Sequence, residues 1–229
     1  MKPTTSLAYK LLSPSTWNRI VGDWQLSRRR LVNHRRRGAA SFRGQRGLRL
    51  HLGCGGRARP DWVNIDAYEQ PGLDLRWDLR DPLPVDPGAV DLVYTEHVLE
   101  HLDFDDAKAL IRNLFQVLSP RGRIRLGVPD AELYLRAYAR RDGTFFDAAR
   151  NIGNPTDPLD TRIKVINQMF RMGGAHRFAW DFETLAKELS AVGFRNIRRY
   201  ASGESSLPDL CLDDPEHAFE TLYLEADRN

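Results

Sequence analysis

The sequence predicts an α/β domain with a mostly parallel sheet, and three observations favour this fold. From Leu48 onward, short apolar runs alternate with segments of helical periodicity, as in parallel strands joined by crossovers. The first run, 48–52, ends in a turn that contains three glycines, Gly53, Gly55 and Gly56. The 229 residues are 41% hydrophobic and 28% charged, which is typical of a globular protein of one large domain, or of a domain with an extension.

The same periodicity gives the elements in chain order. Strands are predicted at 48–52, 62–65, 73–79, 90–94, 123–128, 194–200 and 221–226. Helices are predicted at 105–118, 131–141, 161–172 and 181–191, the last of which Asp181 can cap and Gly193 can end. Only about ten residues, Pro60 among them, separate the first two strands, so a crossover helix there is one turn long or absent.

An insertion interrupts the later part of the domain. Residues 142–158 are rich in glycine, asparagine and proline, which predicts a long loop. With the short helix that follows, this loop forms the segment 142–176. Long irregular segments in a compact domain tend to be lids or substrate walls, and we expect that role for 142–176.

The N-terminal part of the chain differs from the rest in charge. Residues 1–49 hold 12 lysines and arginines against one acid, whereas the other 180 residues hold 22 bases and 30 acids. Apolar residues at loosely helical spacing, including Trp17 and Trp24, precede arginines at 28–30 and 35–37. We therefore expect a basic amphipathic helical extension at 1–46, followed by the main domain at 47–229.

Two uses of this extension are compatible with its composition. It can pack on the domain with its basic end in solvent, or bind an anionic membrane surface through residues 5–37. Nucleic acid is the least favoured partner, because no base-stacking aromatic residues lie among the arginines and the main domain is acidic.

Other classes of protein are disfavoured by the composition. The two cysteines, Cys54 and Cys211, match neither a disulfide framework nor a zinc site, so a reducing compartment is expected. No run approaches the roughly 20 apolar residues of a membrane span, and the N-terminus lacks a signal-peptide core. The expected location is the cytoplasm, with at most peripheral contact at the inner membrane surface. The acidic run 213–217 has no partner cluster in the sequence, so we interpret it as a surface turn and expect no metal.

The glycine turn and the acid after the second strand predict a nucleoside-binding corner. A turn without Cβ atoms lets backbone N–H groups approach a ligand closely. Asp66, at the tip of the second strand, can accept hydrogen bonds from a ribose diol.

Four blocks in order carry a resemblance to a known family. They are His51-Leu52-Gly53-Cys54-Gly55, Asn64-Ile65-Asp66, Trp77-Asp78-Leu79, and 91–94 leading into Glu96-His97-Val98-Leu99-Glu100-His101. This pattern resembles the class I S-adenosylmethionine-dependent methyltransferases, in particular the small type 11 methyltransferase-domain proteins. The resemblance implies S-adenosylmethionine as cofactor. It also implies a Rossmann-like, doubly wound, seven-stranded and mostly parallel sheet whose last strand is antiparallel.

The resemblance also implies roles for individual residues. Gly53 and Gly55, with Cys54 between them, would face the amino-acid portion of the cofactor, and Asp66 would bind the ribose hydroxyls. Asp78 would accept from the adenine amino group, beside the backbone N–H of Leu79. Thr95, Glu96 and His97 would lie near the sulfonium. His51 stands where most members carry an acid that contacts the methionine portion, and Glu96 is a candidate to replace that contact.

The expected reaction is methyl transfer to oxygen. In-line displacement at a sulfonium carbon requires positioning, and a general base only if the nucleophile carries a proton, as a hydroxyl does. His97 and His176 are the leading candidates for a base, with Glu96, Asp130 and His101 behind them and the absence of a base also open. From the resemblance we expect O-methylation of a small molecule or of a sugar or glycan intermediate.

Two alternatives belong to other classes. An NAD(P)-binding oxidoreductase also uses a glycine turn and a ribose-binding acid, but it needs G-x-G-x-x-G opening a full helix, with the acid about 20 residues further on. Pro60 disfavours that helix here. A non-catalytic S-adenosylmethionine-binding protein is the second alternative, and His51 is the feature that favours it.

Overall fold

The computed structural model describes residues 42–150 and 158–229, and these build one seven-stranded sheet in the order β3-β2-β1-β4-β5-β7-β6. The strands are β1 Leu48–Leu52, β2 Val63–Asp66, β3 Leu75–Arg76, β4 Val90–Glu96, β5 Leu118–Pro129, β6 Arg195–Tyr200 and β7 Thr221–Asp227. Strands β1 to β5 pair in parallel, and β7 lies between β5 and β6, antiparallel to both. The predicted mostly parallel sheet with an antiparallel last strand is confirmed.

One predicted strand is much shorter than expected. Of the apolar run 73–79, only Leu75–Arg76 pairs in the sheet. The chain turns directly afterwards, because the Asp78 carboxylate accepts a hydrogen bond from the Arg80 backbone N–H at 3.0 Å. The connection between β1 and β2 contains no helix, as Pro60 and the short spacing predicted.

Five α-helices are described: α1 Phe104–Val117, α2 Ala131–Arg140, α3 Gly143–Ala149, α4 Arg162–Arg171 and α5 Phe182–Val192. Helices α1 and α5 pack on one face of the sheet and enclose the main apolar core. Asp181 caps α5 by accepting from the Thr184 N–H at 2.8 Å, and Gly193 ends it in the left-handed region. Both ends were predicted from these two residues.

The opposite face of the sheet is polar in its centre. His51, Tyr94, Arg125 and Glu225 stand side by side in register across β1, β4, β5 and β7. Arg125 is fully buried, with Asp213 at 2.5 Å and Glu225 at 2.8 Å. The segment before β7 takes part in covering this face through Leu207, Leu210 and Leu212. The interpretation of 213–217 as a surface turn holds for Pro215 and Glu216, which are exposed, but is wrong for Asp213 and Asp214, whose side chains are only 2% and 7% exposed.

The insertion is more regular than its composition suggested. Part of the predicted loop 142–158 is helix α3, which Asp142 caps by accepting from the Phe145 N–H at 3.0 Å. Phe146 of α3 is fully buried in a second apolar cluster with α2 and α4. The buried Phe146 side chain and the Asp142 cap thus outweigh the glycine-rich composition at this point. Residues 151–157 lie outside the described part of the chain.

Residues 1–41 of the basic extension also fall outside the described residues, which begin at Phe42. The predicted helices of 1–46 and the predicted membrane contact through 5–37 stay predictions. Among residues 42–150 and 158–229, the helices are too short or too polar to cross a membrane.

Candidate functional site

The glycine turn after β1 combines a closed side and an open side. Gly53 and Gly55 both have positive φ, +65° and +50°. A Cβ on Gly53 would overlap the Val98 side chain, whereas a Cβ on Gly55 would have no atom of the described protein within 4 Å. The turn is tied to β2 by the Gly53 N–H, which donates to the Ile65 carbonyl at 2.8 Å. Gly55 therefore leaves a backbone surface that a ligand can approach.

Asp66 faces this turn from the end of β2. Its carboxylate accepts from the Gly55 N–H at 2.9 Å and from the Tyr68 N–H at 2.8 Å. The side chain is largely buried, and its orientation is fixed by these two bonds. A carboxylate has about four acceptor positions, so each oxygen keeps capacity for a hydroxyl donor.

Asp78 lies in the turn after β3 and is held by Arg80. The guanidinium of Arg80 contacts both carboxylate oxygens, with Nε at 3.0 Å from Oδ1 and Nη2 at 2.7 Å from Oδ2. This bidentate pair fixes the carboxylate in a buried position. The next residue, Leu79, packs its side chain into the main core, which leaves its backbone as the group able to meet a ligand.

His51 and Cys54, the two ionisable residues of the block 51–55, are both neutral near pH 7. Burial, the largest influence, lowers the pKa of His51 to about 4. Its Nδ1 is buried and has no hydrogen-bond partner among the described residues. Burial also raises the pKa of the Cys54 thiol to about 11. Neither residue supplies the negative charge that an acid at position 51 would bring.

Thr95 and Glu96, at the end of β4, point away from each other. Thr95 is fully buried beside Leu52 and Leu126 in the register of the sheet. Glu96 accepts from the hydroxyls of Tyr94 at 2.8 Å and Tyr223 at 2.5 Å.

Two further groups complete the surroundings of Glu96. The Asp214 N–H donates to both carboxylate oxygens at 3.2 and 3.3 Å. The guanidinium of Arg57, from the glycine turn, lies 3.8 Å from Oε2 and also pairs with Asp214. Glu96 is thus engaged on all sides within the protein, which weighs against its predicted roles as a base or as a contact for the methionine portion.

His97 follows β4 with φ of +54° and has both ring nitrogens occupied. Its Nδ1 lies 3.2 Å from Glu100 Oε1, and its Nε2 lies 3.0 Å from the Thr221 hydroxyl. That hydroxyl donates its own proton to the His217 carbonyl at 2.9 Å, so it accepts from His97.

Both nitrogens of His97 therefore act as donors. Burial alone would lower the pKa of His97, but the hydrogen bond to Glu100 and the nearby carboxylates outweigh burial and raise it. No lone pair remains free to accept a proton, which weighs against the predicted role of His97 as a base.

His176 has the opposite arrangement. Its Nδ1 contacts the Met169 carbonyl, which can only accept, so Nδ1 carries the proton and Nε2 has the lone pair. Burial lowers the pKa of His176, which favours this neutral form.

Sequence analysis missed His217 as a candidate base, and it missed Glu220, the acid that orients this histidine. His217 Nδ1 lies 2.6 Å from Glu220 Oε1, and the Tyr134 hydroxyl donates to Glu220 Oε2. Glu220 is 2% exposed. The only signal in the sequence is the pair His217 and Glu220 at i, i+3, and Tyr134 lies 86 residues away.

These side chains line one narrow cavity of about 40 Å³. Its walls come from the end of β4, from α2, from the α3 and α4 helices of the insertion, and from the segment before β7. They include His97, Tyr134, Met169, His176, His217 and Glu220. The structure thus places His97 and His176, two of the candidate bases from the sequence, in one cavity and adds His217 and Glu220.

Comparison with known proteins identifies a family. Residues 30–199 match a family model described as a methyltransferase domain. Among solved structures, a SAM-dependent methyltransferase from Archaeoglobus fulgidus is 16% identical over 87% of this chain and 94% of its own, with a TM-score of 0.48. The 1,6-didemethyltoxoflavin-N1-methyltransferase of Burkholderia thailandensis is 13% identical over 94% of this chain and 90% of its own, with a TM-score of 0.46. No curated protein sequence matches the chain.

Proposed function

The chain belongs to the class I S-adenosylmethionine-dependent methyltransferases, and on that basis we propose that it methylates a hydroxyl oxygen of a small molecule or of a sugar or glycan intermediate. The observation that carries this proposal is the cavity beside the end of β4, where a histidine is oriented by a buried carboxylate. The cofactor of this family, S-adenosylmethionine, supplies an electrophilic methyl group. A hydroxyl acceptor additionally needs a group that takes its proton.

For the cofactor, we assign the surface formed by the turns after β1, β2 and β3. Gly55 leaves an approachable backbone, and Asp66 keeps acceptor capacity for the two ribose hydroxyls. Asp78 and the backbone of Leu79 would meet the adenine, with Arg80 holding the Asp78 carboxylate in place. His51 would lie beside the methionine portion as a neutral ring, because burial lowers its pKa to about 4. These features fit the cofactor, and His51 is the position at which the fit departs from the family pattern.

For the proton, we assign His217 as the general base and Glu220 as the residue that orients it. Because Nδ1 of His217 faces a carboxylate at 2.6 Å, it carries the proton, and the Nε2 lone pair remains for an acceptor hydroxyl. Glu220 is itself fixed by the Tyr134 hydroxyl. A base oriented by a buried acid that has its own hydrogen-bond partner is a recurrent arrangement for activating hydroxyl groups.

The membership of the family argues against the oxidoreductase alternative, and a two-step assay separates the remaining possibilities. Calorimetric titration of the full chain with S-adenosylhomocysteine measures cofactor-site binding. Incubation with methyl-labelled S-adenosylmethionine and parallel panels of sugars, nucleotide sugars, phenols and amines then measures transfer.

We expect binding together with label on hydroxyl compounds. Label found only on amines would contradict the acceptor assignment. Binding without transfer to any panel would favour a non-catalytic S-adenosylmethionine-binding protein.

A further inference from the structure

A second group of side chains near the cavity is arranged for a ligand that the proposed methyl transfer does not require. Glu100, His101 and His176 each offer one ligand atom, and these three atoms lie within 4.8 Å of one another. Glu100 and His101 belong to the short 3-10 turn Leu99–His101 after β4, and His176 follows α4. The rings of His101 and His176 meet edge to face with centroids 4.8 Å apart.

Both histidines are held with Nε2 as the free nitrogen. His101 Nδ1 lies 3.2 Å from the Ala175 carbonyl, and His176 Nδ1 contacts the Met169 carbonyl. A carbonyl oxygen only accepts, so each Nδ1 carries a proton and each Nε2 has a lone pair. His101 Nε2 lies 3.9 Å from Glu100 Oε1. A histidine that donates one N–H to a backbone carbonyl and presents its other nitrogen is the usual form of a metal ligand.

Glu100 adds an oxygen that no protein group satisfies. Its side chain is 2% exposed, and Oε1 is bonded by His97 Nδ1 at 3.2 Å. Oε2 is buried and has no hydrogen-bond partner among the described residues. A buried carboxylate oxygen without a donor is costly, and a metal ion would remove that cost.

We propose that Glu100, His101 and His176 bind a divalent transition-metal ion such as Zn²⁺ or Co²⁺. Two imidazole nitrogens and one carboxylate oxygen form a three-ligand set that suits these ions and leaves a coordination position for an exogenous ligand. Because His176 also lines the acceptor cavity, a hydroxyl in that cavity is the ligand that this position favours. The metal site itself does not depend on the identity of the methyl acceptor.

A neighbouring cluster does not qualify as a metal site, because most of its ligand atoms already have hydrogen-bond partners. His97, His217 and Glu220 also offer ligand atoms within 4.8 Å of one another. Both nitrogens of His97, Nδ1 of His217 and both oxygens of Glu220 already have hydrogen-bond partners. Sequence analysis expected no metal because the acidic run 213–217 has no partner cluster in the sequence, and it did not consider Glu100, His101 and His176 as one set.

The test is a Co²⁺ titration of the chelator-treated full chain, followed by visible absorption, with Zn²⁺ as competitor. We expect one Co²⁺ per chain, displaced by one Zn²⁺. His101→Ala, at a side chain that is 41% exposed, should weaken Co²⁺ binding by more than about 100-fold, and His176→Gln should do the same. The control His217→Ala removes the neighbouring cluster and should leave Co²⁺ binding unchanged.

Three results would overturn the proposal: no stoichiometric Co²⁺ uptake by the wild-type chain, uptake that survives both His101→Ala and His176→Gln, or uptake that is lost in His217→Ala. Thermal unfolding of each variant shows whether it is folded, and the wild-type titration decides the question if a variant is not. The readout is absorption by the ion, so failure of the methyl-transfer assay does not affect it.

Discussion

The two halves of the proposed site, the cofactor half and the acceptor half, differ in how far apart in the chain their contacts lie. In the cofactor half, Asp66 bonds Gly55, 11 residues away, and Arg80 holds Asp78, two residues away. In the acceptor half, His97 bonds Thr221 across 124 residues, and Tyr134 bonds Glu220 across 86. The second set meets because β7 inserts beside β5 and brings residues 217–221 to the end of β4. The first half is a local motif, whereas the second is a product of the topology.

The difference extends to which atoms carry the function. The proposed cofactor half depends on backbone conformation at two glycines and on two fixed carboxylates, Asp66 and Asp78. The acceptor half depends on side chains that orient one another. Substitutions should therefore affect stability and cofactor affinity in the first half, and turnover in the second.

The largest expected effect is on turnover, from His217→Gln. Loss of the proton acceptor should lower kcat by roughly 10²–10⁴-fold, because glutamine cannot take the hydroxyl proton. The dissociation constant for S-adenosylhomocysteine should stay within about threefold, since His217 belongs to the other half of the site. The measurement is kcat with the acceptor found in the labelled-methyl screen, together with calorimetry. Glu220→Gln is the matched variant: it should also lower kcat, because an amide NH2 that donates to His217 Nδ1 favours the tautomer whose Nε2 carries the proton and has no lone pair. Unchanged turnover in His217→Gln would remove it from the role of base.

The next effect separates the two glycines within the cofactor half. Gly53→Ala should reduce the free energy of unfolding by about 2–4 kcal/mol, because its Cβ would overlap Val98 and its φ is positive. Gly55→Ala should cost only about 1–2 kcal/mol, since only the backbone conformation resists it.

Cofactor affinity should rank the two glycine variants in the opposite way. The new methyl group of Gly55→Ala occupies the open side of the turn, so its folded protein should lose affinity for S-adenosylhomocysteine. Denaturant unfolding and calorimetry on both variants check the pair. Equal stability losses would contradict the closed and open sides of this turn.

The same contrast explains what could be predicted from the sequence. Local periodicity predicts the order of the strands along the chain. Caps predict both ends of α5, and Pro60 predicts the short β1–β2 connection. The glycine turn and Asp66 are close in the chain, so their proximity needs no knowledge of the fold. S-adenosylmethionine as cofactor followed from the family resemblance that these local blocks carry.

What was missed depends on distant partners. The acidic run 213–217 has the composition of a surface turn, but Asp213 is buried because Arg125 of β5 meets it from 88 residues away. His217 has no distinguishing neighbour in the sequence until β7 brings it beside His97, with ring centroids 4.5 Å apart. Helix α3 was missed because its stability comes from Phe146 in a tertiary cluster rather than from local propensity.

The smallest effect is a pH dependence that belongs to His51. Burial lowers its pKa in the folded state to about 4, against 6.5 for a histidine side chain in the unfolded chain. A buried neutral histidine contributes stability that is present above its unfolded pKa and is lost as the pH falls towards the folded pKa. Between pH 7 and pH 5.5 this loss is about 1 kcal/mol for one such group. His97 and His176 also have shifted pKa values, but both are present in wild type and variant, so their contributions to the pH dependence cancel in the difference.

His51→Gln should therefore flatten the pH dependence of the unfolding free energy between pH 7 and 5.5, whatever its effect at pH 7. Denaturant unfolding at three pH values, for wild type and variant, gives the difference directly. Parallel curves would mean that His51 is not held neutral. In that case the His51 ring would be able to take a positive charge in the cofactor half, whereas the structure has a neutral ring there, whose Nδ1 has no hydrogen-bond partner among the described residues. A sulfonium ligand is repelled by a cationic ring and tolerated by a neutral one, so the slope of these curves bears on how a histidine can stand at this position of a methyltransferase.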